Sequence, residues 1–129
     1  MSFKMLEKTP GVYAAAVAGA PVTDWRLYDT HYTERYLGDP NTDKASYAGS
    51  AAVTDAAKIT DPLLLIHGIS DDNVFLDNSL AAVSAMQKAG TRFEMMFYPG
   101  YTHRVGGPVS VHLWRTIEDF LDRNVKDAK

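Results

Sequence analysis

The sequence predicts an α/β fold with about three parallel strands flanked by helices, and three observations support this prediction. A short apolar run from Leu63 to Ile66 lies between Pro62 and Gly68, and an acidic, hydrogen-bonding loop follows it. A second apolar run ends at Tyr98 and leads into a Pro-Gly turn. Between these runs the apolar spacing becomes that of a helix, and a strand-helix-strand order indicates parallel strands joined by a right-handed crossover.

The first elements along the chain are a short helix and a strand. Apolar side chains between Phe3 and Leu6 occur at helical spacing, and the sequence Thr-Pro-Gly at positions 9–11 ends the pattern because proline cannot continue a helix. The run from Val12 to Ala20 has no polar face and is bordered by Pro-Gly and Gly-Ala-Pro sequences. Because the run is short, we expect a buried strand rather than a helix.

An aromatic stripe follows between Pro21 and Gly38. Its members recur at intervals of three, four and four residues, which predicts that they share one face of a helix. Two interpretations are open at this point, a packing face or the aromatic wall of a pocket. A loop is expected from Gly38 to Asp43, and a short helix plus a turn from Lys44 to Ala57. The members of the stripe are Trp25, Tyr28, Tyr32 and Tyr36.

The second half of the chain predicts a helix from Leu76 to Ala89, a strand from Thr91 to Tyr98, a loop, and a last helix from Val109 to Val125. Gly90 supplies the stop of the first of these helices. Arg123 and Lys126 suit the negative end of the last helix dipole. The apolar faces comprise Leu76, Leu80, Val83 and Met86 in one helix, and Val109, Leu113, Ile117, Phe120 and Leu121 in the other.

Composition and charge narrow the possible functions. The chain has 129 residues, 46% of them hydrophobic, which is enough for one domain with a core. A net charge of -3 without a basic cluster gives no footprint for nucleic acid or anionic lipid. Cysteine is absent, so disulfides and thiolate chemistry are excluded. We expect a soluble protein, because the longest apolar stretch is too short for a membrane span. The first residues lack the apolar core of a signal peptide, and the sequence does not indicate a cellular compartment.

His103 is the strongest candidate for a catalytic group. It lies in a loop after a strand and among glycines, where the backbone can approach a ligand closely. A neutral imidazole can accept a proton from an attacking hydroxyl, provided that an acid orients the ring. Asp71 and Asp72 are both candidates for that acid, although turn and capping roles also suit them. The order of acid, helix, strand and histidine is that of α/β-hydrolases.

The remaining histidines are expected to be structural or solvated. His67 is a rival base, but its place at the end of an apolar strand favours bonding to nearby backbone. His31 and His112 fall on helical segments among polar neighbours. No histidine pair has a metal-binding spacing, so we predict no metal and no cofactor.

A nucleophile motif cannot be found in the sequence. The pattern Gly-x-Ser-x-Gly is absent, and neither Gly49-Ser50 nor Gly68-Ile69-Ser70 satisfies it. Phosphate-binding loops are also missing, which argues against a flavodoxin-like domain.

Several blocks of sequence resemble the catalytic domain of dipeptidyl peptidase IV-like serine peptidases of the prolyl oligopeptidase family. They are Ala-Pro-Val-Thr-Asp-Trp at 20–25, Tyr-Thr-Glu-Arg-Tyr at 32–36 and His-Gly-Ile-Ser-Asp-Asp-Asn-Val at 67–74, followed by His103. The resemblance covers nearly the whole chain. It implies that residues 1–129 form a single partial domain, the C-terminal half of an α/β-hydrolase fold.

The resemblance also implies roles for individual residues. The first aspartate of the third block matches the triad acid, which selects Asp71 over Asp72, and His103 matches the base. Asn73 matches a residue that contacts the substrate carbonyl. Positions matching the wall of a proline-accepting S1 pocket are Val22, Trp25, Tyr28, Tyr32 and Val74.

The family pattern further implies parts that this sequence lacks. Family members carry Gly-x-Ser-x-Gly-Gly before a helix similar to Met1 to Lys8, so we expect the chain to begin just after the nucleophile, with a β-propeller also upstream. The resulting prediction is a peptidase that cleaves after Pro or Ala in the intact parent and an inactive isolated chain. Alternatives are another α/β-hydrolase, such as an esterase or acylaminoacyl peptidase, and a non-catalytic interaction module. An exposed sheet edge or helix exchange would make the chain a homodimer.

Overall fold

Three parallel strands in the order β1-β2-β3 form the centre of the computed structural model, which describes residues 1–125. The prediction of about three parallel strands flanked by helices is therefore confirmed. The strands are β1 (Ala16–Gly19), β2 (Leu63–Gly68) and β3 (Glu94–Tyr98). The helices are α1 (Ser2–Lys8), α2 (Thr30–Leu37), α3 (Lys44–Ser50), α4 (Asp77–Ala89) and α5 (Ser110–Val125), with 3-10 turns at Trp25–Leu27, Ala52–Lys58 and Gly107–Val109.

Strand β2 is buried along its whole length and separates two hydrophobic cores. Successive side chains of a strand point to opposite faces. Leu63 and Leu65 therefore join one core with α1 and α4, while Leu64 and Ile66 join the other with Phe120 of α5. Register is fixed by this alternation, because a shift by one residue would exchange the two sets of leucine and isoleucine side chains.

The prediction of a buried strand from Val12 to Ala20 is wrong in length and in burial. Only Ala16–Gly19 form the strand, which lies at the edge of the sheet and is partly exposed. Asp61 explains the late start, because its carboxylate accepts the backbone N–H groups of Gly11 at 2.7 Å and Tyr13 at 3.1 Å. These bonds hold the preceding segment outside the ladder of β1.

The aromatic stripe does not lie on one continuous helix, which corrects the sequence-based expectation. Trp25 belongs to a 3-10 turn, whereas Tyr32 and Tyr36 lie in α2. The break occurs because Asp29 caps α2, its carboxylate accepting the backbone N–H of Tyr32 at 2.7 Å. The aromatic rings nevertheless cluster, because the spacing places them on one side of both segments.

The apolar face predicted for the helix after β2 is also partly wrong. Leu80 is 46% exposed, whereas Asn78 and Ser79 are fully buried in the first turn of α4. Val83 and Met86 do join the core as expected, and Gly90 ends the helix in the left-handed conformation with φ of 72°. The buried face thus begins with two polar side chains, and both have hydrogen-bond partners at the site described below.

The last two elements are close to their predicted positions. Strand β3 begins at Glu94 rather than Thr91, because the Thr91 N–H and hydroxyl bond to Met86 and Ala56 carbonyls instead. Helix α5 begins at Ser110 after a 3-10 turn, and its predicted apolar residues pack on the sheet. Lys126, expected near the helix end, lies outside the described residues. Within residues 1–125, none of the helices combines the length and apolar character that a membrane crossing requires.

Candidate active site

The turn that follows β2 is organised by the carboxylate of Asp71. Its Oδ1 atom accepts the backbone N–H groups of Asn73 and Val74, both at 2.9 Å. Its Oδ2 atom accepts from Nδ1 of His103 at 2.9 Å. Asp71 is only 4% exposed, whereas Asp72 is exposed, so the two candidate acids have different environments. The turn bonds keep one carboxylate oxygen occupied and leave the other directed at the imidazole.

The pKa of Asp71 is set by two opposing effects. Burial works to raise the pKa, but the hydrogen bonds from His103, Asn73 and Val74 outweigh burial and bring the pKa below its ordinary value. The carboxyl group is therefore ionised at neutral pH. A charged acceptor beside His103 fixes the proton on Nδ1 of that ring.

Gly68 makes the contact between the two loops possible. A Cβ atom at this position would overlap the backbone carbonyl oxygens of Tyr101 and Thr102. The close approach is held by backbone bonds from Ile69 to Tyr98 and from Ser70 to Tyr101, each 3.0 Å long. The loop after β3 therefore packs directly on the end of β2, and the residue that follows Thr102 reaches Asp71.

The imidazole ring of His103 is held in place at one nitrogen and accessible at the other. Its side chain is 43% exposed, although Nδ1 is bound to Asp71. Nε2 makes no hydrogen bond to any residue within 1–125, and none of the serine hydroxyls in that range bonds to this histidine. With the proton on Nδ1, the neutral ring presents a free lone pair at Nε2, as a general base requires.

A second histidine and serine lie close to Asp71 but are closed to substrate. Nδ1 of His67 lies 2.6 Å from the Ser79 hydroxyl, and Nε2 lies 2.8 Å from the Val74 carbonyl oxygen and 3.2 Å from Oδ2 of Asp71. His67 is 1% exposed and Ser79 is completely buried. No substrate carbonyl can reach this serine, so the pair does not resemble a working nucleophile and base.

The aromatic cluster lies next to the acid turn. Trp25 and Tyr32 stack with their ring centres 6.1 Å apart, and Tyr28 meets both rings edge-on at 5.8 Å. The Tyr28 hydroxyl donates to Oδ1 of Asn73 at 3.1 Å, which connects the cluster to the Asp71 turn. The rings are only partly covered, with Tyr32 exposed to solvent, so the stripe is not a buried packing face.

The other residues proposed from the sequence are more scattered. Val22 and Trp25 border a cavity of about 550 Å³ beside α1. His103 borders a different cavity of about 480 Å³, which the aromatic residues do not line. Val74 is buried in the turn. The structure thus brings Asp71 and His103 into contact and places the aromatic cluster beside Asn73, but it does not gather all of these side chains in one cavity.

Sequence reasoning missed Asn78, the buried amide that holds the aromatic turn. Its Oδ1 atom accepts the backbone N–H groups of Thr23 at 3.0 Å and Asp24 at 3.3 Å. Its Nδ2 atom donates to the Leu27 carbonyl at 3.1 Å. The available signal was a polar residue at a helix position whose neighbours one turn away are apolar.

The fold and the site together define a class of protein. A parallel sheet with a buried acid after one strand and a histidine after the next, both at the carboxyl edge, has the arrangement of an α/β-hydrolase domain. The chain belongs to the prolyl oligopeptidase family, whose model matches residues 1–128.

Individual relatives agree with this assignment. Over 109 residues, 81% of this chain, it is 40% identical to "Probable dipeptidyl-aminopeptidase B" of Sordaria macrospora. It is 33% identical to human dipeptidyl peptidase 8 in an alignment that covers 100% of this chain. The crystal structure of Porphyromonas gingivalis dipeptidyl peptidase 4 superposes with a TM-score of 0.91 at 34% identity over 95% of this chain. The chain spans 12%, 15% and 18% of the lengths of these three relatives.

Proposed function

We propose that this chain supplies the acid and the base of a serine peptidase of the dipeptidyl peptidase type, with a nucleophilic serine contributed from outside the described residues. The observation that carries this proposal is the 2.9 Å bond between Nδ1 of His103 and the buried carboxylate of Asp71. A charged acid and an oriented imidazole with a free Nε2 atom are two of the three parts of a serine triad.

The proposed reaction follows from the protonation states at these atoms. Nε2 of His103 takes the proton of the serine hydroxyl while the oxygen attacks the peptide carbonyl. The imidazolium that results is stabilised by the Asp71 carboxylate, and Nε2 then gives the proton to the leaving amine. Water repeats the sequence on the acyl-enzyme, which frees the serine. Asp71 remains ionised throughout, as its lowered pKa favours.

The aromatic cluster is proposed as the wall of an S1 pocket for proline or alanine. A pyrrolidine ring is flat and apolar and carries no N–H group, so stacked aromatic rings can accept it without an unpaired polar group. Trp25, Tyr28 and Tyr32 supply the rings, Val22 and Val74 supply aliphatic surface, and Asn73 is proposed to contact the substrate carbonyl. The bond between Tyr28 and Asn73 sets the relative positions of the wall and the polar contact.

We further propose that the isolated chain is inactive, because no described serine reaches His103. Incubation with a fluorophosphonate probe followed by mass spectrometry tests this proposal. The expected result is an unlabelled chain, including an unlabelled Ser79, whose hydroxyl is buried. Stoichiometric labelling of any serine would contradict the assignment of the nucleophile to another part of the protein.

Ligand binding tests the pocket without requiring turnover. The chain has two tryptophans, so Trp114→Phe leaves Trp25 as the only indole reporter. In that background, a glycyl-pyrrolidide should change the Trp25 fluorescence saturably, and a ring-opened diethylamide with the same number of carbon atoms should bind more weakly. Tyr32→Ala should abolish the preference, whereas Val111→Ala, at an exposed position of α5 that borders neither the cluster nor its cavity, should retain it. Equal binding of both amides to the parent chain would refute the pocket.

A second candidate function is assembly, and it is favoured by the sheet edge. Strand β1 is hydrogen-bonded to β2 on one side, and within the described residues no strand pairs with its other side. We propose that isolated chains form a homodimer through this edge or by exchange of a helix. Light scattering at micromolar concentration should show a dimer, and a monomer would exclude this candidate.

A further inference from the structure

We infer that Ser79 and His67 act as a positioning pair that fixes the Asp71 turn, through the Val74 carbonyl and through a second imidazole N–H beside the acid. Neither residue belongs to the proposed triad. The inference rests on the proposed roles of Asp71 and His103 and adds a layer behind them. The buried side chain of His67 contacts Asp71 and Val74 in the turn and Ser79 in α4.

The contacts of His67 determine which ring nitrogen carries its proton. The Val74 carbonyl oxygen, 2.8 Å from Nε2, can only accept a hydrogen bond. Oδ2 of the ionised Asp71, 3.2 Å from the same nitrogen, is also an acceptor. A bare lone pair on Nε2 would be repelled by both oxygens. Nε2 is therefore protonated, and in the neutral ring Nδ1 has the lone pair.

Ser79 completes this arrangement from α4. Its hydroxyl lies 2.6 Å from Nδ1 and is the group that can donate to the lone pair there. Both side chains are shielded from water, so a solvent molecule cannot replace either partner. Ser79 thus supports the tautomer that the Val74 and Asp71 oxygens favour, and this tautomer sets the direction in which the His67 proton points.

The direction of the His67 proton affects both the backbone of Val74 and the carboxylate of Asp71. The His67 N–H holds the carbonyl of Val74, a residue whose own N–H is already bound to Asp71. The backbone of Val74 is therefore fixed on both sides. The same N–H places partial positive charge 3.2 Å from Oδ2, the oxygen that also accepts from His103. The charge of Asp71 is shared between two imidazoles, which weakens its pull on the His103 proton.

This charge sharing gives the inference a signature that a packing role does not have. His67→Leu removes the N–H group while filling a similar volume. If His67 acts through its proton, Asp71 then pulls more strongly on His103, and the Nδ1 proton of His103 moves downfield in the NMR spectrum. If His67 only fills space, leucine takes its place and the His103 resonance does not move.

The test uses nitrogen-15-labelled full chain and long-range proton–nitrogen correlation spectra of the histidine rings. In the wild type, His67 should give the pattern of a ring protonated at Nε2 only. Ser79→Ala should keep the Nε2 proton but move the Nδ1 nitrogen of His67 downfield, because the lone pair there loses its hydrogen-bond donor. Ser84→Ala, a serine in the same helix, should leave this nitrogen unshifted. His67→Gln, whose amide N–H can occupy the place of Nε2, should return the His103 resonance towards its wild-type position.

Each result decides the inference. A downfield shift in His67→Leu with recovery in His67→Gln supports it, as does a downfield shift of the His67 Nδ1 nitrogen in Ser79→Ala if the leucine variant does not fold. A wild-type His67 protonated at Nδ1, or an unshifted or upfield His103 resonance in His67→Leu, overturns it. These spectra require no turnover, so an intact parent protein without peptidase activity would refute the proposed function while leaving the positioning pair intact.

Discussion

Replacing Gly68 by alanine should break the contact between the acid and the histidine while leaving both residues in the sequence. The added methyl group would overlap the carbonyl oxygens of Tyr101 and Thr102, and both are backbone atoms that cannot rotate aside. The loop after β3 must therefore move away from β2. Because this loop carries His103, the 2.9 Å bond to Asp71 should lengthen or break.

The expected cost of this substitution has two parts. Overpacking against backbone costs about 1–3 kcal/mol. Displacement of the loop also weakens the backbone bonds from Ile69 to Tyr98 and from Ser70 to Tyr101, and each such bond contributes about 0.5–1.5 kcal/mol. We therefore expect Gly68→Ala to lower the free energy of unfolding by roughly 2–4 kcal/mol.

Urea unfolding measures this free energy, and the Nδ1 proton resonance of His103 reports the bond itself. Gly49→Ala is a matched control, because Gly49 lies in α3 with open space around it. That control should be neutral or more stable by up to about 1 kcal/mol, since alanine favours helix. The reasoning is refuted if Gly68→Ala is as stable as the wild type and its His103 resonance is unchanged.

Three further predictions concern the supports of the site. Asn78→Ala should lower the free energy of unfolding by about 2–4 kcal/mol and change the Trp25 fluorescence, because it leaves the buried backbone N–H groups of Thr23 and Asp24 without their acceptor. Gln87→Ala, exposed on the same helix, should change the free energy of unfolding by less than about 0.5 kcal/mol. Thr33→Val should be neutral or stabilising by up to about 1 kcal/mol in urea unfolding, because the buried Thr33 hydroxyl has no hydrogen-bond partner among residues 1–125. A clear loss of stability would show that this hydroxyl does make a hydrogen bond. The pKa of Asp71 is lower in the folded state than in the unfolded state, so its contribution to stability is complete above the unfolded pKa and is lost as the pH falls through the folded pKa. Below about pH 4 the wild type should therefore lose more stability than Asp71→Asn. Parallel pH profiles of the urea midpoint would contradict this prediction.

The sequence predicted the sheet well because its signals are local. A run of apolar residues between Pro62 and Gly68 specifies a buried strand, and the helical spacing up to Gly90 specifies the crossover. The edge strand was predicted too long because its start depends on Asp61, about 50 residues away in the sequence. No pattern within the Ala-rich run carries that information.

The candidate site contains some contacts that follow from the order of the elements and others that depend on distant parts of the chain. The positions of an acid and a histidine after successive strands follow from the order of the elements. Choosing between Asp71 and Asp72 from local pattern alone was not possible, since the choice depends on a contact across 32 residues with His103. Asn78 and Ser79 were missed because an amphipathic pattern treats a polar residue as solvent-facing, although here both are buried with partners.

The division of the core by β2 has a consequence for the newly made protein. The strand that leads into Asp71 is also the boundary between both hydrophobic cores, and His103 arrives only with the last strand and the loop beyond it. Asp71 and His103 can therefore meet only after α4 and β3 have docked. A chain that is still folding carries no oriented imidazole, so the proposed acid and base come together only when the sheet is complete.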